Sequence, residues 1–137
     1  MAAMLRVARV EVNTLVYEVA VYLSNNGVGT LGTTPTGSIF WRHMPSSPES
    51  CVGVIADSRP QIGVLPLSQL GFQVYVRNRS VGEGLGTASL VFSLLHGRVN
   101  VLPSLKGVAE GQAPGTYFRD ANEVPVYPVS FGWLGHR

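Results

Sequence analysis

Charge is what this chain has least of. Asp, Glu, Lys and Arg make up 13% of its 137 residues, about half the share of roughly 25% usual in globular domains. So few charges do not coat an isolated small domain, whose surface is large for its volume. Part of that surface is therefore expected to be covered by another subunit. Lysine is scarcest, with Lys106 alone against nine arginines. Arginine suits planar pairing at interfaces, although abundant Gly, Ala, Val and Arg with little Lys or Ile equally follows from GC-rich coding. The single cysteine, Cys51, excludes an internal disulfide, and its neighbours Val52, Val54 and Ile55 mark it as a small core residue. No run approaches the roughly 18 apolar residues of a membrane span. The arginines and glutamate of MAAMLRVARVEV stand where a signal peptide would carry its apolar core. The expectation is a soluble, cytoplasmic protein without a membrane partner. Its length fits one domain, 1–137, able to bury roughly two thirds of the surface its unfolded chain exposes.

Residue patterns for catalysis are as sparse. Gly82, Gly84 and Gly86 lie between a strand and a helix, where phosphate-cradling glycines belong, but the spacing fails. A dinucleotide fingerprint needs glycine where Thr87 stands and an acidic residue about twenty positions on, where the chain reads VNVLPSL. His43, His96 and His136 have no second ligand at a metal spacing. There is no G-x-S-x-G elbow, no cysteine beside activating groups, and no pair of acidic residues on one predicted face. No catalytic, cofactor-binding or metal residue is expected, and the chain does not read as an enzyme.

What is present is a legible strand and helix from Gly71 to Gly97. Phe72, Val74 and Val76 alternate with Gln73, Tyr75 and Arg77, the period of a strand with one buried face. Ser80 and Glu83 have capping-box spacing, so a helix starts near Ser80. Ala88, Val91, Phe92 and Leu95 form its apolar stripe, and Gly97 is placed to end it.

Upstream, Val10 to Asn26 carries Val12, Leu15, Val16, Val19 and Leu23 on one helical stripe, with Asn25, Asn26 and Gly27 as the stop. A second stripe of Val10, Tyr17 and Val21 indicates a helix buried on two sides, once by its own sheet and once by a neighbour; the valines leave Leu5 to Val12 open as a strand. Gly27 to Gly37 is turn chemistry. Ser38 to Met44 and Cys51 to Ala56 read as strands broken by PSSPES and are expected to form an antiparallel hairpin. Asp57 to Leu70 reads as an extended loop. Val108 to Arg119 and Val124 to Leu134 form a last hairpin turning at Asp120, Ala121 and Asn122. In its second arm Tyr127, Val129, Phe131 and Trp133 share one face. Pro125 and Pro128 cannot donate to a ladder, which assigns this arm to a sheet edge or bulge, and an aromatic edge is a candidate for subunit pairing. The fold class is α+β, two helices on one face of a mostly antiparallel sheet, in the order α-β-β-β-α-β-β. Subunit-interface candidates are Tyr17, Val21, Trp41, Tyr127, Phe131 and Trp133. Arg77 and Arg79 share a strip with Tyr75 that reads as a solvated strand face, a subunit contact or a phosphate contact.

Four segments resemble one family. YLSNNGVGTLG (Tyr22 to Gly32) is similar to the first helix and glycine turn of the tail terminators, the small "minor capsid" family of long-tailed phages. HMPSSPESCVGVIAD (His43 to Asp57), FQVYVRNRS (Phe72 to Ser80) and LLHG (Leu94 to Gly97) resemble its following segments in order. The chain departs from that family at its second helix, where VGEGLGTASLVFS replaces bulky and charged residues, so its outer face is open to a different partner. The resemblance implies a structural virion protein with no cofactor, formed in the host cytoplasm and placed at the tail neck. It would form a ring, a hexamer, that ends tail-tube polymerisation. Its partners would be its own copies, the tail tube protein and the head–tail connector, with Arg77, Arg79 or Arg119 lining a non-specific DNA passage. A head-completion or adaptor protein of the neck is the structural rival. A monomeric module binding nucleic acid or a small ligand is the rival from another class.

Overall fold

The computed structural model describes residues 15–32, 38–46, 48–56, 71–103 and 108–134, with the backbone alone for 108, 133 and 134. The expected reading of Leu5 to Val12, the loop from Asp57 to Leu70 and the side chain of Trp133 lie outside the described residues.

Residues 15–25 form helix α1. Strands β1 (Ile39–Trp41), β2 (Cys51–Ala56) and β3 (Gly71–Arg77) follow, then helix α2 (Val81–Leu95), then β4 (Val108–Gly111), β5 (Phe118–Arg119) and β6 (Pro125–Leu134). The α+β class and the rough order expected from the sequence hold. The strands form one sheet ordered β1-β2-β3-β6-β4, with β5 also on β6.

One face of that sheet is the core. Phe72, Val74 and Val76 of β3 stand opposite Phe131, Val129 and Tyr127 of β6, and all six are buried beneath the helices. The Phe72 and Phe131 rings stack at 5.1 Å. Both helices press on this face: Leu15, Val16, Val19, Ala20 and Leu23 of α1 and Ala88, Val91 and Leu95 of α2 join the same cluster. The Tyr22 hydroxyl donates to the Leu94 carbonyl at 2.7 Å, satisfying an oxygen at the end of α2 and tying the helices together. At the start of α2 the Ser80 hydroxyl accepts the Glu83 amide, while Asn78, not the Glu83 carboxylate, accepts the Ser80 amide.

Three expectations are corrected. β1 and β2 pair in parallel, with Ile39 opposite Val52 and Trp41 opposite Val54. β1 stops at Trp41 because Arg42 takes a left-handed conformation, φ 79°, and the segment after it crosses the outer sheet face instead of reversing. There Met44 lies so close to Gly53 that a Cβ on that glycine would sit 3.2 Å from the Met44 Cβ. Second, β6 is not an edge: β3 lies on one side, β4 and β5 on the other. The Asn78 amide donates to the Pro125 carbonyl, so odd-numbered residues of β6 direct their backbone groups to β3 and Pro128 directs its missing donor away. On that side β4 has made its last contact, Gln112 N–H on the Ser130 carbonyl, and β5 begins only at Phe118 opposite Val126. The proline rule holds locally while the strand stays interior. Third, Tyr127, Val129 and Phe131 of the aromatic row point inward. Tyr127 and Phe131 are 3% and 4% exposed, so they are core residues and not a subunit surface.

The edges of the sheet are β1 on one side and β4 and β5 on the other, and the segment leaving each helix bridges β1 or β4. After α1 and Gly27 (φ 84°), Leu31 bridges Ile39 in parallel; after α2, His96 and Gly97 (φ 73°) meet Ala109 in the same way.

Two glycine substitutions should shift stability in opposite directions. A Cβ on Gly111 would fall 2.5 Å from the Phe131 ring, so Gly111→Ala should cost about 1–3 kcal/mol by overpacking. Gly86 lies inside α2 with nothing within 4 Å of an added Cβ, so Gly86→Ala should gain about 1 kcal/mol of helix propensity, or about 3 °C in melting temperature. Thermal unfolding followed by circular dichroism checks both signs.

Candidate assembly site

Arg77 ends β3 on the outer face of the sheet, opposite Cys51. It is not a surface cation: at 7% exposure it is buried under the crossing segment. Its Nε donates to the Glu49 carbonyl at 2.8 Å, and its Nη2 donates to the Pro48 carbonyl at 2.8 Å and the Pro45 carbonyl at 2.5 Å. The Cys51 sulfur lies 3.3 Å from the same nitrogen. Nη1 faces the Asp120 carboxylate at 3.8 Å. The other Asp120 oxygen accepts the amides of Asn122 and Val124, fixing the turn between β5 and β6. One guanidinium thus joins β3, the crossing segment and that turn. A flat fork with five donors meets several carbonyls at once, which a lysine ammonium on a single stem does not match. Burial pushes the Cys51 thiol up, against the nearby Arg77 charge, so the cysteine stays protonated as a small apolar residue. A cavity of about 170 Å³ opens beside this cluster, bounded by Val28, Ser38, Cys51, Arg77 and Thr87 among others. Arg77 therefore does not line a DNA passage; its role is to hold the backbone.

Arg79 and Arg119 are exposed. Arg79 is engaged in a two-pronged ion pair with Glu49, Nε to Oε1 at 2.8 Å and Nη2 to Oε2. The hydrogen bond from Arg79 holds the Glu49 carboxyl below its ordinary value, and the same bond raises Arg79. Arg119 donates to the Glu123 carbonyl at 3.0 Å and lies 5.7 Å from the centre of the Tyr117 ring. Among the described residues, no group of three or more His, Cys, Asp or Glu could hold a metal ion, and no helix is long and apolar enough to cross a membrane.

Of the six interface candidates, the structure brings three together. Tyr17 on α1 meets Trp41 on β1 edge to face, centroids 5.0 Å apart, with Val21 one helical turn along. Tyr17 is 43% exposed, while Val21 and Trp41 are half-buried. This aromatic corner lies beside the β1 edge of the sheet. Elsewhere the exposed apolar side chains include Leu85 and Leu90 of α2 and Tyr117 and Phe118 next to β6. The α2 pair was not singled out from the sequence, although the departure at VGEGLGTASLVFS is the signal that could have found it. α1 and α2 each carry one charged residue, Glu18 and Glu83, so the outer surface of the helix layer is nearly neutral.

Two predictions come from this cluster. Arg77→Met should lower the free energy of unfolding by about 1–3 kcal/mol, because it removes the donors from three part-buried carbonyls; a urea midpoint measures it. Second, Asp120 is held low first by the Val124 amide, and Glu49 first by Arg79. Folded values below the unfolded ones mean that their contribution is present above the ordinary carboxylate range, about pH 4, and is lost as pH falls through the folded values. Between about pH 5 and about pH 2 the wild-type midpoint should therefore fall more steeply than that of Glu49→Gln/Asp120→Asn.

The described residues offer a nearly neutral helix layer and an aromatic corner, and Arg77, Arg79, Arg98 and Arg119 are engaged with the chain's own carbonyls or with Glu49. Comparison with curated protein sequences gives no significant match. The family model described as "Bacteriophage tail terminator protein" matches residues 22–132, a span that contains β1 to β5, all of α2 and all but the last two residues of β6. The chain belongs to the bacteriophage tail terminator family and is a structural component of a phage tail.

Proposed function

We propose that this chain closes into a ring, a hexamer, at the head-proximal end of the tail tube, where it ends tube polymerisation and presents a surface to the head connector. Family membership across residues 22–132 carries this reading. The nearly neutral helix layer supports it, since surfaces without charge are removed from water at little electrostatic cost. Ring closure needs contacts between two different patches of the subunit, because a self-complementary patch would stop at a dimer. Tyr17, Val21 and Trp41 form one such patch. The DNA passage is assigned to Arg119 and Arg79, the exposed members of the original trio, with Arg119 the stronger because Arg79 is neutralised by Glu49. Those contacts would be with phosphates and without sequence preference.

Light scattering of the purified chain, alone and mixed with tail tubes, with negative-stain imaging of the same samples, tests the reading. The expected outcome is a closed ring of about six copies, free or seated on a tube end. A chain that stays monomeric in both samples and leaves tube growth unchanged would sink it.

A further inference from the structure

We propose that His96 is a pH-sensitive latch, whose neutral imidazole ties the end of β4 to the exit of α2 and whose protonation releases it. The latch belongs to the single subunit and stands apart from the ring reading.

The bond that carries it runs from the Gly111 amide to His96 Nδ1, 3.0 Å long. A backbone N–H only donates, so Nδ1 is the acceptor and the ring proton sits on Nε2. Gly111 is the last residue of β4, opposite Phe131. Its amide is directed to the outer rim of the sheet, as is the Ala109 carbonyl, which accepts the Gly97 amide at 2.9 Å. Beyond it the chain turns back to β6, with the Gln112 amide on the Ser130 carbonyl at 3.3 Å. On its rim side the end of β4 is therefore met by a backbone amide at Ala109 and by an imidazole at Gly111.

An imidazolium has no acceptor. Both its nitrogens carry protons, so a charged His96 sets two N–H groups against each other at this contact and the bond is lost. The helix cap survives, because the His96 amide reaches the Phe92 carbonyl at 2.8 Å through the backbone. The ring lies on Phe92, centroids 4.6 Å apart and planes 15° from parallel. That ring face and the carboxyl end of α2 both suit a cation. The carbonyls at this end already have donors: Phe92 from the His96 amide, Ser93 from the Arg98 Nε at 3.2 Å, Leu94 from the Tyr22 hydroxyl at 2.7 Å and Leu95 from the Arg98 amide at 3.4 Å. The charged ring stays on Phe92 or turns to water, since His96 is exposed, and in either place it accepts nothing from Gly111.

The charged and titratable neighbours are few. Arg98 on the segment after α2 is engaged with Ser93, Glu110 on β4 is exposed, and α1 contributes the Tyr22 hydroxyl. Among the described residues, no ion pair joins His96 to either charge. Histidine titrates within about pH 5–8. At the upper end of that range the β4 rim is closed at Gly111, and at the lower end it carries a bare donor of the kind that strand addition uses.

Nuclear magnetic resonance of the isotopically labelled full chain reads the latch directly. At about pH 8 a coupling through the hydrogen bond should join the Gly111 amide nitrogen to His96 Nδ1, with the ring proton on Nε2. At about pH 5 the coupling should vanish. The hydrogen-exchange protection of Gly111, referred to the unstructured rate at each pH, should fall about fivefold, the worth of one net hydrogen bond. His96→Asn, whose side-chain oxygen accepts at every pH, should hold that protection constant across the range. His96→Phe, which keeps a ring on Phe92 without an acceptor, should show the low protection at both ends. A ring proton on Nδ1 at the alkaline end, an unchanged Gly111 protection in the wild type, or an equal fall in His96→Asn each overturns the proposal.

Discussion

The path of this chain depends on one buried guanidinium. Arg77 gathers the carbonyls of Pro45, Pro48 and Glu49 and so fixes where residues 42–46 and 48–50 lie on the outer face. That crossing delivers the start of β2 beside β1 in parallel register, which brings Trp41 against Tyr17. The aromatic corner on the helix side thus owes its position to a hydrogen-bonded cluster on the opposite face. Burying a charge is costly, and here the cost is offset because the donors of the fork meet oxygens already fixed by the backbone, with Asp120 as counter-charge.

Much of this was legible from residue patterns, and the failures have physical causes. The strand at Phe72 to Val76 and the helix after Ser80 were readable because period two and period 3.6 leave unmistakable traces over seven and fifteen residues. The alternation also placed Arg77 on the correct, outer face. It could not show that the same face is covered, because PSSPES has no periodicity and packs through backbone carbonyls. The last strand failed for a different reason. Both its rows are apolar, so alternation identifies two faces without saying which is inner, and a proline forbids one hydrogen bond without forbidding an interior position. The parallel pairing of β1 and β2 was hidden by the short stretch between them, for which a hairpin is the simpler expectation.

Local and global preferences agree over most of the molecule and disagree on α2. A helix with Gly82 and Gly86 on its solvent line is weaker than the same helix with alanine, and its leucine flanks face water. Conflicts of this kind are expected at functional surfaces rather than in the core, which here is packed by valine, leucine and phenylalanine.

The two parallel bridges at Leu31 and His96 bear on the subunit before it meets the particle. A six-stranded sheet with bare rims is a nucleus for cross-β fibres, and the hazard grows with the concentration at which virion parts are made. By turning the exit of each helix back onto a rim, the chain covers part of the backbone that a sister chain could copy at β1 and β4. Each bridge so lowers the exposure of a rim to strand addition while the subunit is free.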